Sequence, residues 1–207
     1  LFQNLFSQDF IFIFITVLVS LVIHEFAHAA TADALGDKTA RMSGRLTLNP
    51  LAHLEILGLI MIFFGPIGWA RPVPVNPNHF RRPRLGMILT ALAGPMSNLI
   101  LALLCLALLN ILFNSVGQFL GTLLYVGAYV NCNLCIFNLI PLPPLDGSRI
   151  VGNLLPPRQQ LAYAKLEMYG PFILLLAFLL PPVQNDVFTP LFSWFHNLVF
   201  GVFGPIV

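Results

Sequence analysis

His24-Glu25-Phe26-Ala27-His28 places two imidazoles four residues apart with a carboxylate between them. On a helix, positions i and i+4 share one face, so both rings can approach one metal ion. Glu25, beside His24, is then placed to accept the proton of an attacking water. A five-residue pattern of this kind arises often by chance, and its setting is what makes it informative. It follows the apolar run Phe10–Ile23 almost without a break. Ionisable groups are costly to bury in such a segment, and there they are by default functional. The structural alternative is a polar knot in which the histidines pair with Glu25 and with backbone.

A catalytic zinc takes three protein ligands and keeps one position open. The chain must supply a third ligand, and Asp146 is the best-placed acidic residue. It follows Asn138-Leu-Ile-Pro141-Leu-Pro143-Pro144-Leu145 and precedes Gly147. The prolines unwind the helix and Gly147 permits a tight turn, so the carboxylate sits on non-helical backbone at the end of an apolar segment. A helix-capping aspartate is the competing reading. Charge developing on a scissile carbonyl needs further donors. Asn138 is the leading candidate, with Asn133 and Asn98 as weaker candidates for substrate contact. Each of the three could instead form an interhelical hydrogen bond. His53, with Glu55, flanks the start of a later apolar segment. It is a candidate for touching substrate or gating access, against a capping and loop-bonding role.

The elements that must position these groups are set by composition. The chain is 57% hydrophobic and 9% charged, with a mean hydropathy of +0.85. A soluble domain carries about 25% charged residues, so the bilayer is the expected solvent. Long apolar segments run over Phe10–Leu35, Leu51–Trp69, Leu85–Phe113, Phe119–Ile140 and Leu161–Leu180, with a shorter one over Val187–Val202. A span takes about 20 apolar residues, which leaves the second and the last marginal. The pattern predicts an all-α membrane protein with five to six membrane-embedded helices, forming a single core over residues 1–207.

All ten Lys and Arg fall into three groups: Lys38, Arg41 and Arg45; Arg71, Arg81, Arg82 and Arg84; Arg149, Arg158 and Lys165. Cytoplasmic loops are the ones enriched in these residues. All three groups share one face only if the second apolar segment returns to the side it left, which predicts a re-entrant or interfacial segment after the first helix. Ala40–Leu48 and Ala70–Val75 alternate in character between Gly and Pro breaks, and short strands are expected there. With Gly36 as the helix stop, His28 and His24 lie roughly 12 and 18 Å from the inner end of the first helix. That depth is inside the membrane, nearer the cytoplasm. Cys105, Cys132 and Cys135 sit in apolar stretches and read as small hydrophobes, the CxxC of the last two having no second pair. No basic n-region of a signal peptide precedes the first segment.

HEFAH in a membrane helix, followed much later by Pro143-Pro144-Leu145-Asp146-Gly147, resembles the site-2 proteases, the intramembrane zinc metalloproteases. Residues 44–50, 68–74, 93–98 and 137–141 are similar to family segments as well, so the resemblance covers roughly Ile23 to Val151. It implies His24, His28 and Asp146 as ligands of one zinc ion per chain and Glu25 as general base. It also implies a single-span membrane protein as substrate, cut in or near the lipid bilayer. No PDZ-like insertion or CBS-type domain is evident, so the chain looks like a minimal core. Small size and the lack of sorting signals favour a prokaryotic cell membrane, and no nucleic-acid partner is expected. The competing class is a transporter or channel with an intramembrane metal or proton site, which would predict internal repeats not seen here. A haem-binding protein and an inactive scaffold are further alternatives.

Overall fold

The computed structural model describes residues 8–53, 55, 71–112 and 117–203. Among the described residues, three helices are long and apolar enough to cross a membrane. They are α1 (Gln8–Ala34), α4 (Pro83–Leu112) and α5 (Gln118–Asn138). Between α1 and α4 lie two short helices, α2 (Thr39–Met42) and α3 (Pro50–His53). After α5 come α6 (Asp146–Leu154), α7 (Pro157–Ala164), α8 (Leu166–Leu179) and α9 (Thr189–Phe203). α7 and α8 meet at a 53° bend and supply a fourth span if the pair is counted as one. The expected all-helical membrane architecture holds. The described residues contain three or four candidate spans; most of the second apolar segment lies outside them, and α9, at 15 residues, is shorter than a bilayer crossing.

α1, α4 and α5 pack together. Small residues are buried on these helices: Ser20 on α1, Ala91, Gly94 and Ala102 on α4, and Gly127 and Ala128 on α5. Lipid tails are as apolar as leucine, so membrane helices associate through close packing and polar contacts more than through hydrophobic burial. Ala102, Leu106, Ala128, Cys132 and Val199 form the apolar core between α4, α5 and α9. Cys132 and Cys135 are free thiols and both are buried. Leucine, isoleucine and phenylalanine face outward instead, as at Ile15, Leu104, Leu108 and Phe172. Large apolar side chains exposed on this scale mark a lipid-facing surface.

Among the described residues none forms a strand. The first stretch expected to do so opens with α2, because the Asp37 carboxylate accepts hydrogen bonds from both the Thr39 amide and the Thr39 hydroxyl and starts a helical turn. Gly44, at φ +68°, then turns the chain. In the second stretch, Pro72 and Pro74 remove alternate N–H donors, and the Val73 amide is spent on a side chain of α1. Of the second apolar segment, residues 51–53 and 55 are described, and the remainder lies outside the described residues. Its flanks meet: the Arg71 amide donates to the His53 carbonyl at 2.8 Å. Arg45 is buried and donates to the carbonyls of Ala52 and Arg71, binding the same junction from a third side.

Candidate metal centre

α1 carries the first two groups. His24 and His28 are one turn apart, and their Nε2 atoms are 3.0 Å from each other. α4 can approach them closely because position 94 has no side chain. A Cβ there would lie 2.4 Å from His28 Nε2 and 2.6 Å from His24 Cε1. The third group comes from 122 residues further along the sequence than His24. α5 ends at Asn138, residues 139–145 run through Pro141, Pro143 and Pro144, and α6 begins at Asp146. Asp146 is therefore the first residue of a nine-residue helix, directly after the non-helical stretch where the sequence had placed it. Gly147 makes that connection fit, since a Cβ there would come within 2.2 Å of the Leu139 carbonyl oxygen and 2.5 Å of that of Ile140. Asp146 Oδ2 lies 3.1 Å from His24 Nε2 and 3.2 Å from His28 Nε2.

The proton positions test whether this triangle suits a metal. His28 Nδ1 donates to the Thr90 carbonyl at 2.7 Å. A carbonyl oxygen only accepts, so the neutral ring carries its proton on Nδ1 and turns a lone pair inward from Nε2. His24 Nδ1 lies 2.6 Å from the Asn98 side-chain oxygen, with the same consequence. Two Nε2 lone pairs and a carboxylate oxygen then converge with no proton between them, an arrangement that repels itself unless a cation fills it. Zinc bonds of about 2.0–2.1 Å put tetrahedral ligand atoms about 3.3 Å apart, close to the 3.0–3.2 Å found here. Partners on the far ring nitrogens are also what metal-binding histidines require. The residues present fit a zinc ion. Among the described residues, these three are the ones whose ligand atoms gather closely enough to hold a metal.

A cavity of about 340 Å³ opens beside the triangle, lined by Glu25, Pro72, Val73, Leu134, Asn138 and Arg149 among others. The Val73 amide donates to Glu25 Oε2 at 3.2 Å. Asn138 faces this cavity while its amide nitrogen donates to the Leu134 carbonyl at 2.9 Å.

The other sequence candidates lie elsewhere. Asn98 sits behind His24, fully buried, and does not line the cavity. Asn133 lines a separate cavity between α5, α8 and α9, together with Tyr129, Phe178 and His196. His53 is buried, and its Nε2 donates to the Thr47 carbonyl at 2.7 Å. Three residues at the site were not singled out from sequence. Asn131 carries the signal that flagged the other asparagines, an amide in an apolar helix. Gly94 had been noted only as part of a motif, and Thr90 contributes a backbone carbonyl, which no sequence pattern announces.

Residues 114–180 match the profile of peptidase family M50. Over 203 residues the chain is 40% identical to YwhC of Bacillus subtilis, covering 94% of this chain and 92% of that protein. It is 34% identical to Rip2 of Mycolicibacterium smegmatis, covering 91% of this chain and 74% of that one. It is 33% identical to Rip2 of Mycobacterium tuberculosis over 90% and 70% of the two chains. These relatives are named as zinc metalloproteases. The chain belongs to peptidase family M50, the site-2 protease family. As an M50 peptidase it is a zinc-dependent metalloprotease with helices able to span a membrane. The transporter and haem readings drop out with that assignment. No solved structure shows a significant match to the chain.

Proposed function

We propose that this M50 peptidase hydrolyses peptide bonds of single-span membrane proteins, the chemistry of regulated intramembrane proteolysis, in a prokaryotic cell membrane. The observation that carries the reading is the meeting of His24, His28 and Asp146 beside Glu25, on helices long enough to cross a bilayer. In the proposed assignment these three hold the zinc. Zinc bound there supplies Lewis acidity, which polarises a carbonyl and acidifies water. Glu25 accepts the proton of the attacking water and returns it to the leaving amine. Its position supports the role, since the Val73 amide holds one carboxylate oxygen beside the cavity. Asn138 donates to the charge that develops on the scissile carbonyl oxygen. A substrate helix must unwind to reach these groups, and its freed backbone needs partners. Pro72, Val73 and Val75 border the cavity, and backbone carbonyls there can accept from an extended chain, the Val73 amide being held by Glu25.

The basic residues support a cytoplasmic-side centre. The Asp37 carboxylate accepts from His79 at 2.9 Å and from the Asn76 amide at 2.7 Å. Those bonds hold the group at Lys38–Arg45 next to the group at Arg71–Arg84. The His53–Arg71 bond supports the same topology, because a segment whose flanks touch does not end on opposite faces of the bilayer.

The deciding experiment is metal analysis of the purified protein with cleavage of a panel of single-span peptides, wild type against Glu25→Gln. One zinc per chain in both proteins, with cleavage at least about 100-fold slower in the variant, is the expected result. Equal cleavage by the two would remove Glu25 from the reaction.

A further inference from the structure

Behind His24, on the side away from the cavity, a chain of side-chain amides runs from α1 through α4 to α5. His24 Nδ1 meets Asn98 Oδ1 at 2.6 Å, Asn98 Nδ2 donates to Asn131 Oδ1 at 2.9 Å, and Asn131 Nδ2 donates to the Gly127 carbonyl at 2.9 Å. Asn98 is 0% exposed and Asn131 3%, so water does not compete for these groups.

The chain has one direction, and its far end sets it. The Gly127 carbonyl only accepts, so the Asn131 nitrogen must face it and the Asn131 oxygen must face Asn98. That oxygen in turn requires the Asn98 nitrogen, which leaves the Asn98 oxygen for His24. An amide oxygen only accepts, so Nδ1 of His24 must carry the ring proton. Turning either amide over would bring like atoms face to face inside the membrane, where an unpaired polar group is costly. The other histidine needs no such device, since its Nδ1 reaches a backbone carbonyl directly at Thr90.

We propose that Asn131, which touches none of the three metal-site side chains, is a positioning residue that locks the Asn98 amide and thereby keeps the His24 Nε2 lone pair aimed at the zinc. This rests on the assignment of His24 as a ligand. It concerns which ring nitrogen bears the proton, not whether the ring is charged. Without Asn131 the Asn98 amide is free to turn over. It would then offer its N–H₂ to Nδ1, and the ring proton would move to Nε2, where it blocks coordination.

The test uses the full chain in detergent, with zinc and a competing chelator. Asn131→Leu should lower zinc affinity by about 10–100-fold. Asn98→Asp gives His24 a partner whose two oxygens both accept, so its orientation toward the ring no longer matters, while the Asn131 amide must turn its nitrogen from the Gly127 carbonyl to the new carboxylate. In that background the Asn131→Leu change should cost no further affinity. A role in helix packing alone predicts the same loss in both backgrounds, and that result, or an unchanged affinity in the single variant, overturns the proposal. ¹⁵N NMR of histidine-labelled, metal-free protein at alkaline pH, where no proton fills the triangle and the rings are neutral, gives a second readout that needs neither zinc nor the Asn98 change. The His24 Nδ1 should carry the proton in wild type and share it with Nε2 in Asn131→Leu; an undisturbed Nδ1 proton in the variant overturns the relay. Failure of the wild type to bind zinc would instead count against the ligand assignment, and the NMR comparison would still decide the relay.

Discussion

Two imidazoles and a carboxylate become a metal centre only when each presents an electron pair, and at this site that depends on atoms outside the triangle. The Thr90 carbonyl and the Asn98 amide hold the protons on the far ring nitrogens. Gly94 matters for a different reason: the rings occupy the space its side chain would need. Gly94→Ala puts a methyl group 2.4–2.6 Å from three ring atoms, which forces His24 and His28 apart or α4 away. Zinc content of the purified variant should fall to a small fraction of the wild-type value while its helical circular dichroism is retained, since the overlap is local. At this scale HEFAH was legible from spacing alone, because i and i+4 share a face in any helix. Asn98 was legible as a polar group needing a partner, though not as the partner of His24, which lies on another helix.

The elements deliver these residues by stopping in the right places. α5 ends where the proline-rich stretch begins, and α6 restarts with Asp146, so a break in helix continuity turns a carboxylate back toward α1. Just past the C-terminal end of α1, Asp37 organises the loop that follows. Burial opposes ionisation of its carboxyl, but hydrogen bonds from Thr39, the Asn76 amide and His79 outweigh it and hold the pKa below its ordinary value of 3.8. A depressed folded-state pKa means that the ionised form stabilises the fold above the unfolded value and that this contribution disappears as pH falls through the folded value. Asp37→Asn should therefore lower the thermal midpoint in detergent at pH 7, and the gap from wild type should close below pH 3.8. A gap that stayed constant down to pH 2 would mean that the charge of Asp37 does not matter. Helices over the apolar segments were readable from length and hydropathy. The strand expectation for residues 40–48 went astray because the hydrogen bonds that begin α2 come from Asp37, just before the alternating stretch.

Across the whole molecule, the ion pairs among the described residues gather around the loop after α1 and at the buried site of His24, His28 and Asp146. Asp33 holds Arg41 through a pair of hydrogen bonds at 2.6 and 2.8 Å and Lys38 at 3.1 Å, close to the Asp37 cluster. Topology is tested by placing single cysteines at the exposed Met42 and at Arg158 in a chain whose three native cysteines are replaced. A membrane-impermeant thiol reagent should label both from the cytoplasmic face and neither from the opposite one. Labelling of the two from opposite faces would break the topology on which the cytoplasmic-side centre depends.

Composition by itself determined the solvent, because a chain with so few charges cannot cover its surface in water. Spacing determined the histidine pair proposed to hold the metal, because a helix has one period. Asp146 and Asn138 were named from their proline-broken setting, but only the tertiary structure brought the Asp146 carboxylate to within 3.2 Å of both rings, put Asn98 behind His24 and turned Asn138 to the cavity. Those placements depend on how α4 and α5 rotate against α1 and on where a proline-broken segment turns. Both are settled by contacts between residues up to 122 positions apart, and spacing along the chain does not encode such contacts.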